Sequence, residues 1–144
     1  MKKILVLVCL VLFLGSFVSA EYAAAAERFV DNKDGTVTDM QTGLMWADHD
    51  NGSEVNWFAA KSYCEGYNGG GKSGWRMPTT DELGQLRNSG AYGSVIKKTA
   101  DYVWASETRG SDAALFGFIY GEQGWCPQSI TRRNNRTLPV RSGK

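Results

Sequence analysis

The sequence predicts a small α+β domain, and three features along the chain support this class. Short alternating segments between turn residues fill the amino-terminal third, as is typical of half-buried antiparallel strands. Two capped helices are predicted next, and further strand-like segments follow them. With 144 residues, 42% hydrophobic and 22% charged, the chain is long enough for one domain and too apolar for wholesale disorder.

The first twenty residues have the pattern of a secretory signal peptide. Lys2 and Lys3 precede an apolar run over residues 4–14, and small residues at 18–20 provide a cleavage site. The run is short for a membrane span, and an uncleaved anchor is the alternative. We expect an exported protein that is periplasmic, displayed on the cell surface or secreted, with no stable membrane insertion after cleavage.

Cleavage at this site changes the composition of the mature protein. Loss of the two lysines changes the formal net charge from +1 to −1. We expect residues 21–27 to form a flexible lead-in and residues 28–144 to form the single domain.

The first predicted elements are three short strands joined by tight turns. Residues 28–30 and 36–38 flank Asp34 and Gly35, a dipeptide that favours a hairpin. A third strand over residues 44–46 follows a turn at residues 41–43.

Two helices follow, each with its own start signal. Asn56 can cap a helix that runs over residues 57–67. Thr79 stands three residues before Glu82, which is the spacing of a capping box, and predicts a second helix over residues 80–88.

The last third of the chain predicts further strands. Residues 102–106 and 114–120 have strand patterns, and residues 125–127 are expected to interrupt them. Residues 138–141 form a closing edge strand, a position in which a proline is tolerated.

Cys64 and Cys126 are the two cysteines that remain after signal cleavage. An even pair in an exported domain favours a disulfide. That bridge would close a loop of roughly sixty residues and stabilise the fold by about 4 kcal/mol on the chain-entropy model. The alternative is a reactive thiol, for which His49, the only histidine, is the candidate base.

Several segments together resemble one bacterial family. These segments cover residues 28–39, 42–46, 75–83 and 102–106, and the likeness continues to Arg141. They resemble the domain of unknown function DUF1566, also called the Lcl C-terminal domain after a collagen-like adhesin. The residues that match the family's structural motif are Trp46, Trp75, Arg76, Pro78 and Glu82.

This resemblance implies both a fold and a class of function. The implied fold is a compact C-type-lectin-like domain with two helices and a twisted antiparallel sheet. Family members are exported or surface proteins with proposed roles in adhesion and ligand binding, and the adhesin binds sulfated polysaccharides. The resemblance therefore implies a non-catalytic binding module, although a fold alone does not transfer a ligand.

Three other motifs lack the flanking elements or residues that their functions require. Residues 66–73 fit a phosphate-binding pattern, but a helix precedes them where a strand is required, so we expect a plain glycine-rich connection. Residues 31–35 depart from a calcium loop, because Lys33 takes a ligand position. The segment around Arg76 is also similar to formylglycine-generating enzymes, but the chain lacks the pair of working cysteines that those enzymes need. We therefore predict no cofactor, metal site or enzymatic activity.

The carboxy-terminal segment is the predicted ligand surface. Arginine forks match sulfate, phosphate and carboxylate groups, and tryptophan faces can stack on sugar rings. The candidates are Arg132, Arg133, Asn134, Asn135, Arg136, Trp104 and Trp125. The expected partner is a glycan, a sulfated polysaccharide or a surface protein, and not nucleic acid. The alternatives are a solvated loop and, for the whole protein, a structural or assembly subunit of the cell envelope.

Overall fold

Two four-stranded sheets and two α-helices make up residues 27–144, the part of the chain that the computed structural model describes. The predicted signal peptide and all but the last residue of the predicted lead-in lie outside the described residues. The α+β class with two helices is confirmed. The expected single antiparallel sheet is instead two sheets, one of them mixed.

The first sheet joins both ends of the described chain. Its strands are β1 (Phe29–Asp31), β2 (Thr36–Asp39), β3 (Leu44–Ala47) and β8 (Val140–Ser142). They are antiparallel in the order β1-β2-β3-β8. The predicted hairpin is present, and Gly35 adopts the positive φ of 89° that its turn requires.

The second sheet contains β4 (Tyr102–Arg109), β5 (Asp112–Gly117), β6 (Glu122–Pro127) and β7 (Asn135–Arg136). Its strand order is β6-β5-β4-β7, and β7 runs parallel to β4. The expectation that residues 125–127 interrupt the strand pattern was wrong, because they lie inside β6. This strand is at the sheet edge, where a proline does not break an interior ladder.

Both helices begin at the residues that the sequence predicts. In α1 (Trp57–Gly66), the Asn56 side chain accepts a hydrogen bond from the backbone N–H of Ala59 at 2.9 Å. In α2 (Thr80–Ser89), Thr79 and Glu82 form the complete capping box, and Gly90 ends the helix in the left-handed conformation. No helix within residues 27–144 is long and apolar enough to cross a membrane.

The second sheet is covered on both faces. Val103 and Ala105 face the larger core, which contains the buried residues of α2 and the first sheet. Trp104, between them in the strand, faces a smaller cluster with Ala60 and Cys64 of α1. The sheet thus lies between the helices, which leaves ligand contacts to its edges and connecting loops.

Candidate functional site

The basic loop, residues 128–134 between β6 and β7, carries the exposed part of the predicted ligand surface. Arg132, Arg133 and Asn134 are all exposed. Among the described residues, neither arginine forms an ion pair with a carboxylate. Both guanidinium groups are therefore available to an anionic ligand.

Arg136 has a different role from these two arginines, because its side chain is half-buried and held by the protein. Its Nε donates to Thr99 Oγ1 at 2.9 Å, and its Nη1 donates to the carbonyl oxygen of Arg133 at 3.2 Å. Arg136 thereby fixes the end of the basic loop. We assign it to positioning rather than to free ligand contact.

Thr99 connects Arg136 to Asp50, a carboxylate that is only 1% exposed. The Thr99 hydroxyl donates to Asp50 Oδ1 at 2.6 Å, and the Thr99 backbone N–H donates to Oδ2 at 2.7 Å. The Tyr92 hydroxyl and the Gly52 N–H complete the set at 2.8 and 2.9 Å. Burial, the largest influence, raises the pKa of Tyr92, and the nearby Asp50 carboxylate raises it further.

A cleft of about 390 Å³ opens beside this network. Its lining residues are Asp48, His49, Asp50, Asn51, Gly52, Lys97 and Thr99. His49 contacts the Asp48 carboxylate through Nδ1. Lys97 is exposed and forms no ion pair within the described part of the chain. The cleft therefore adds a free cation near the basic loop.

Sequence reasoning missed this cleft, because residues 48–53 showed only the composition of a polar loop. Its second wall comes from residues 97–99, almost fifty positions later. The signal available in the sequence was the density of Asp and Asn at 48–51, but only the fold connects it to Arg136.

Two of the candidate ligand residues are buried, which corrects their assignment. Trp104 is 0% exposed, and its indole N–H donates to the carbonyl of Val55 at 2.9 Å. Asn135 is 2% exposed, and its Nδ2 has no hydrogen-bond partner among residues 27–144. Neither side chain offers a surface to a ligand, because both are buried.

Trp125 is exposed, but it belongs to a different surface from Arg136. Its side chain is flanked by the Arg109 guanidinium, whose Cζ lies 4.5 Å from the ring centroid. Trp125 lies on β6 and Arg136 on β7, at opposite edges of the sheet. Three strand spacings separate these edges by about 14 Å. The predicted patch of arginines and tryptophans is therefore divided in two.

Two of the family-motif residues, Arg76 and Glu82, pair at the start of α2. Arg76 forms an ion pair with Glu82, with Nη1 and Nη2 donating to Oε2 and Oε1 at 2.9 and 2.6 Å. The two carboxylate oxygens and the guanidinium thus form a bidentate pair. Trp46, Trp75 and Pro78 are buried.

The predicted disulfide between Cys64 and Cys126 is not formed in the structure, where both are buried free thiols. The Cys64 sulfur instead lies 3.1 Å from the Thr137 hydroxyl oxygen. Burial raises the pKa of the Cys64 thiol to about 12. Such a thiol is a poor nucleophile at neutral pH.

The structure also places the glycine-rich segment and the aspartates near the first hairpin. The glycine-rich segment contains a short 3₁₀ turn, Gly69–Gly71, after α1 rather than a strand-to-helix junction. Asp39 accepts from Arg28 at 2.7 and 2.8 Å, whereas Asp31 pairs with Lys33. No group of three or more His, Cys, Asp or Glu side chains suited to a metal ion occurs within residues 27–144.

Comparisons with known proteins identify a family for this fold. The family described as the Lcl C-terminal domain matches residues 35–141. No curated protein matches the chain. Five chains of solved structures match, including one from the complex of a mutant von Willebrand factor A1 domain with botrocetin. That chain is 9% identical, with 80% of this chain and 96% of that chain covered and a TM-score of 0.44.

Proposed function

Because the chain belongs to the Lcl C-terminal domain family, we propose that it is an exported, non-catalytic binding or adhesion module with a C-type-lectin-like fold. The proposed partner is a glycan, a sulfated polysaccharide or another polyanion, or a protein on a surface. One observation carries this proposal: Arg132 and Arg133 are exposed side by side, with no carboxylate partner among the described residues.

The geometry of the basic loop favours an anionic ligand. Arg136 uses its guanidinium to hold the loop end, so the two outer arginines are presented from an anchored segment. Anchoring lowers the conformational entropy that binding must remove. Planar forks of this kind suit sulfate or carboxylate groups, which repeat along acidic polysaccharides.

The environments of the possible nucleophile and base support a non-catalytic role. Cys64 is buried with a pKa of about 12 and contacts Thr137 rather than a base. His49, the only histidine, contacts Asp48 at a loop. A nucleophile and its base need to lie within hydrogen-bond reach of one another, and these two groups have other partners.

Export is proposed from the first twenty residues, with the periplasm, the cell surface and the medium as the possible destinations. In such a compartment, we also propose that oxidation joins Cys64 to Cys126, since both pack in the same buried cluster. The two thiols would lose two protons and two electrons to a thiol oxidant of that compartment. Mass spectrometry of non-reduced peptides from exported protein tests this, and two free thiols would contradict it.

Heparin titration at two salt concentrations tests the binding function. We expect saturable binding that weakens as salt rises, because screening shortens the reach of surface charges. Arg132→Ala/Arg133→Ala should weaken it further. Lys61→Ala/Lys72→Ala, which removes the same charge from exposed sites outside the loop, is the matched control and should bind as the parent does.

Two outcomes would contradict the anionic-ligand proposal. One is an absence of saturable binding at low salt, and the other is equal weakening by both double variants. The alternative function is then a structural or assembly subunit of the cell envelope. Concentration-dependent sedimentation of the purified protein would support that alternative.

A further inference from the structure

A second cleft, of about 680 Å³, lies at the carboxyl end of α2 and shares no residue with the basic loop. Its lining residues are Arg87, Asn88, Tyr92, Lys98 and Phe118. Its size is within the range of small-molecule sites, and four of its five side chains carry hydrogen-bond donors.

Arg87 is held in this cleft by backbone carbonyls rather than by an acid. Its Nε donates to the Phe118 oxygen at 2.8 Å, and its Nη2 donates to the Ile119 oxygen at 3.0 Å. These bonds use the side edge of the guanidinium and leave the end edge, formed by Nη1 and the second N–H of Nη2. No carboxylate among residues 27–144 pairs with it. The free edge matches the two oxygens of a carboxylate.

The charge of the cleft suits a single negative ligand. Lys98 Nζ lies 2.6 Å from Asp101 Oδ1, so this pair contributes no net charge. Among the residues that the structure describes, the cleft therefore has one uncompensated cation, Arg87. Asn88 is exposed beside it, and no hydrogen bond of its side chain occurs within the described residues.

The turn that Arg87 holds also carries two exposed side chains, which directly follow the lining residue Phe118 in the chain. Ile119, whose carbonyl oxygen accepts from Arg87, is 54% exposed, and the next residue, Tyr120, is 76% exposed. Two lining residues of the cleft, Tyr92 and Phe118, pack their rings with centroids 4.2 Å apart. A ring or an apolar side chain attached to the ligand carboxylate can lie against Tyr120.

We propose that this Arg87 cleft binds a small carboxylate whose carboxyl group is attached to a ring or an apolar body. The Arg87 end edge holds the carboxylate, Asn88 supplies a neutral donor and acceptor, and Tyr120 covers the body. A sugar acid and the carboxyl end of a peptide share this chemistry. The inference does not rest on the proposed function, because the basic loop takes no part.

Calorimetry and amide chemical shifts of the purified protein test the cleft with two pairs of probes. Glucuronate and glucose form the sugar pair, and N-acetyltyrosine and its amide form the peptide pair. We expect one acid to bind at one site with a Kd of about 1 mM or tighter, and its neutral analogue to bind at least about tenfold more weakly. Shifts should centre on Asn88 and Gly121.

Variants of Arg87 and Asn88 distinguish a loss of ligand binding from a loss of stability in the turn. Arg87→Lys keeps the charge but loses the fork, and should weaken binding at least about tenfold. Asn88→Asp adds a negative charge that repels the ligand carboxylate, and it leaves the hydrogen bonds between Arg87 and the turn in place. It should weaken binding by a similar factor. Asn68→Asp, at an exposed asparagine outside both the cleft and the basic loop, is the matched control and should leave binding unchanged. Equal binding of acid and neutral probe, no binding of either acid, or unchanged affinity in folded Asn88→Asp would overturn the proposal.

Discussion

Replacing Asp50 with Asn tests the buried network that positions the basic loop. Asp50 is 1% exposed, and each of its oxygens accepts one bond from a backbone N–H and one from a hydroxyl. An Asn amide puts an NH₂ group in place of one oxygen. Whichever oxygen is lost, the NH₂ then faces the backbone N–H of Gly52 or of Thr99, and a backbone donor cannot turn away.

The expected cost follows from these contacts. One buried donor without an acceptor costs about 1–3 kcal/mol, and bonds to a neutral amide are weaker than bonds to a carboxylate by about 1 kcal/mol each. Rotation of the Tyr92 or Thr99 hydroxyl to accept from the NH₂ recovers part of this. The free energy of unfolding should therefore fall by about 3 kcal/mol.

Urea and thermal denaturation followed by circular dichroism measure this loss. For a domain of this size, about 3 kcal/mol corresponds to a Tm that is lower by roughly 10 °C. Glu54→Gln makes the same chemical change at an exposed position and should leave the Tm unchanged. If Asp50→Asn stays within about 1 kcal/mol of the parent with the same m-value, the network does not carry the stability argued for it.

Three further outcomes are expected from local contacts. Burial raises the pKa of Asp39, but hydrogen bonds, first among them those from Arg28, outweigh it and leave the pKa lowered. Its stabilising contribution is therefore present above about pH 4 and lost as the pH falls toward the folded-state pKa, so Asp39→Asn should flatten acid unfolding curves. Thr79→Ala removes the oxygen that accepts from the Glu82 N–H at 3.1 Å, and should lower the unfolding free energy by about 1 kcal/mol, whereas Thr79→Ser should not. In reduced, folded protein, Cys64 should react slowly with iodoacetamide at neutral pH, and addition of urea should remove this protection.

The elements that the sequence predicts correctly are those with local signals. Asn56 starts α1, and the pair Thr79 and Glu82 starts α2, because a cap acts within three residues. The Gly35 turn and its flanking strands follow the same logic. In each of these cases, the interaction that specifies the element lies within the window that a sequence pattern covers.

The strands that were missed depend on distant partners. β6 contains Gly124 and Pro127, which have low strand propensity, and it forms because β5 supplies its hydrogen-bonding edge. β7 has two residues and pairs with β4 more than thirty positions earlier. No local pattern specifies such pairing.

Only the exposed members of the predicted ligand surface remain candidates for ligand contact. Residue type alone could not predict which of them would be buried. Trp104 and Trp125 are both tryptophans within strands of one sheet. α1 covers the side of the sheet that Trp104 faces, whereas Trp125 lies on the edge strand and stays partly exposed. Arg136 likewise has the same chemistry as Arg133, but only Arg136 reaches Thr99.

The cleft beside Asp50 and the Arg87 cleft adjoin each other, and this determines which variants can distinguish the basic loop from the Arg87 cleft. Lys97 lines the cleft beside Asp50, and Lys98 lines the Arg87 cleft. Tyr92 contributes its hydroxyl to Asp50 and its ring to the second cleft, so a change at Tyr92 or Asp50 disturbs both. Asn88 lines only the Arg87 cleft, and Arg132 and Arg133 belong only to the basic loop. Heparin binding that responds to the loop variants but not to Asn88→Asp would therefore show that the two surfaces act independently.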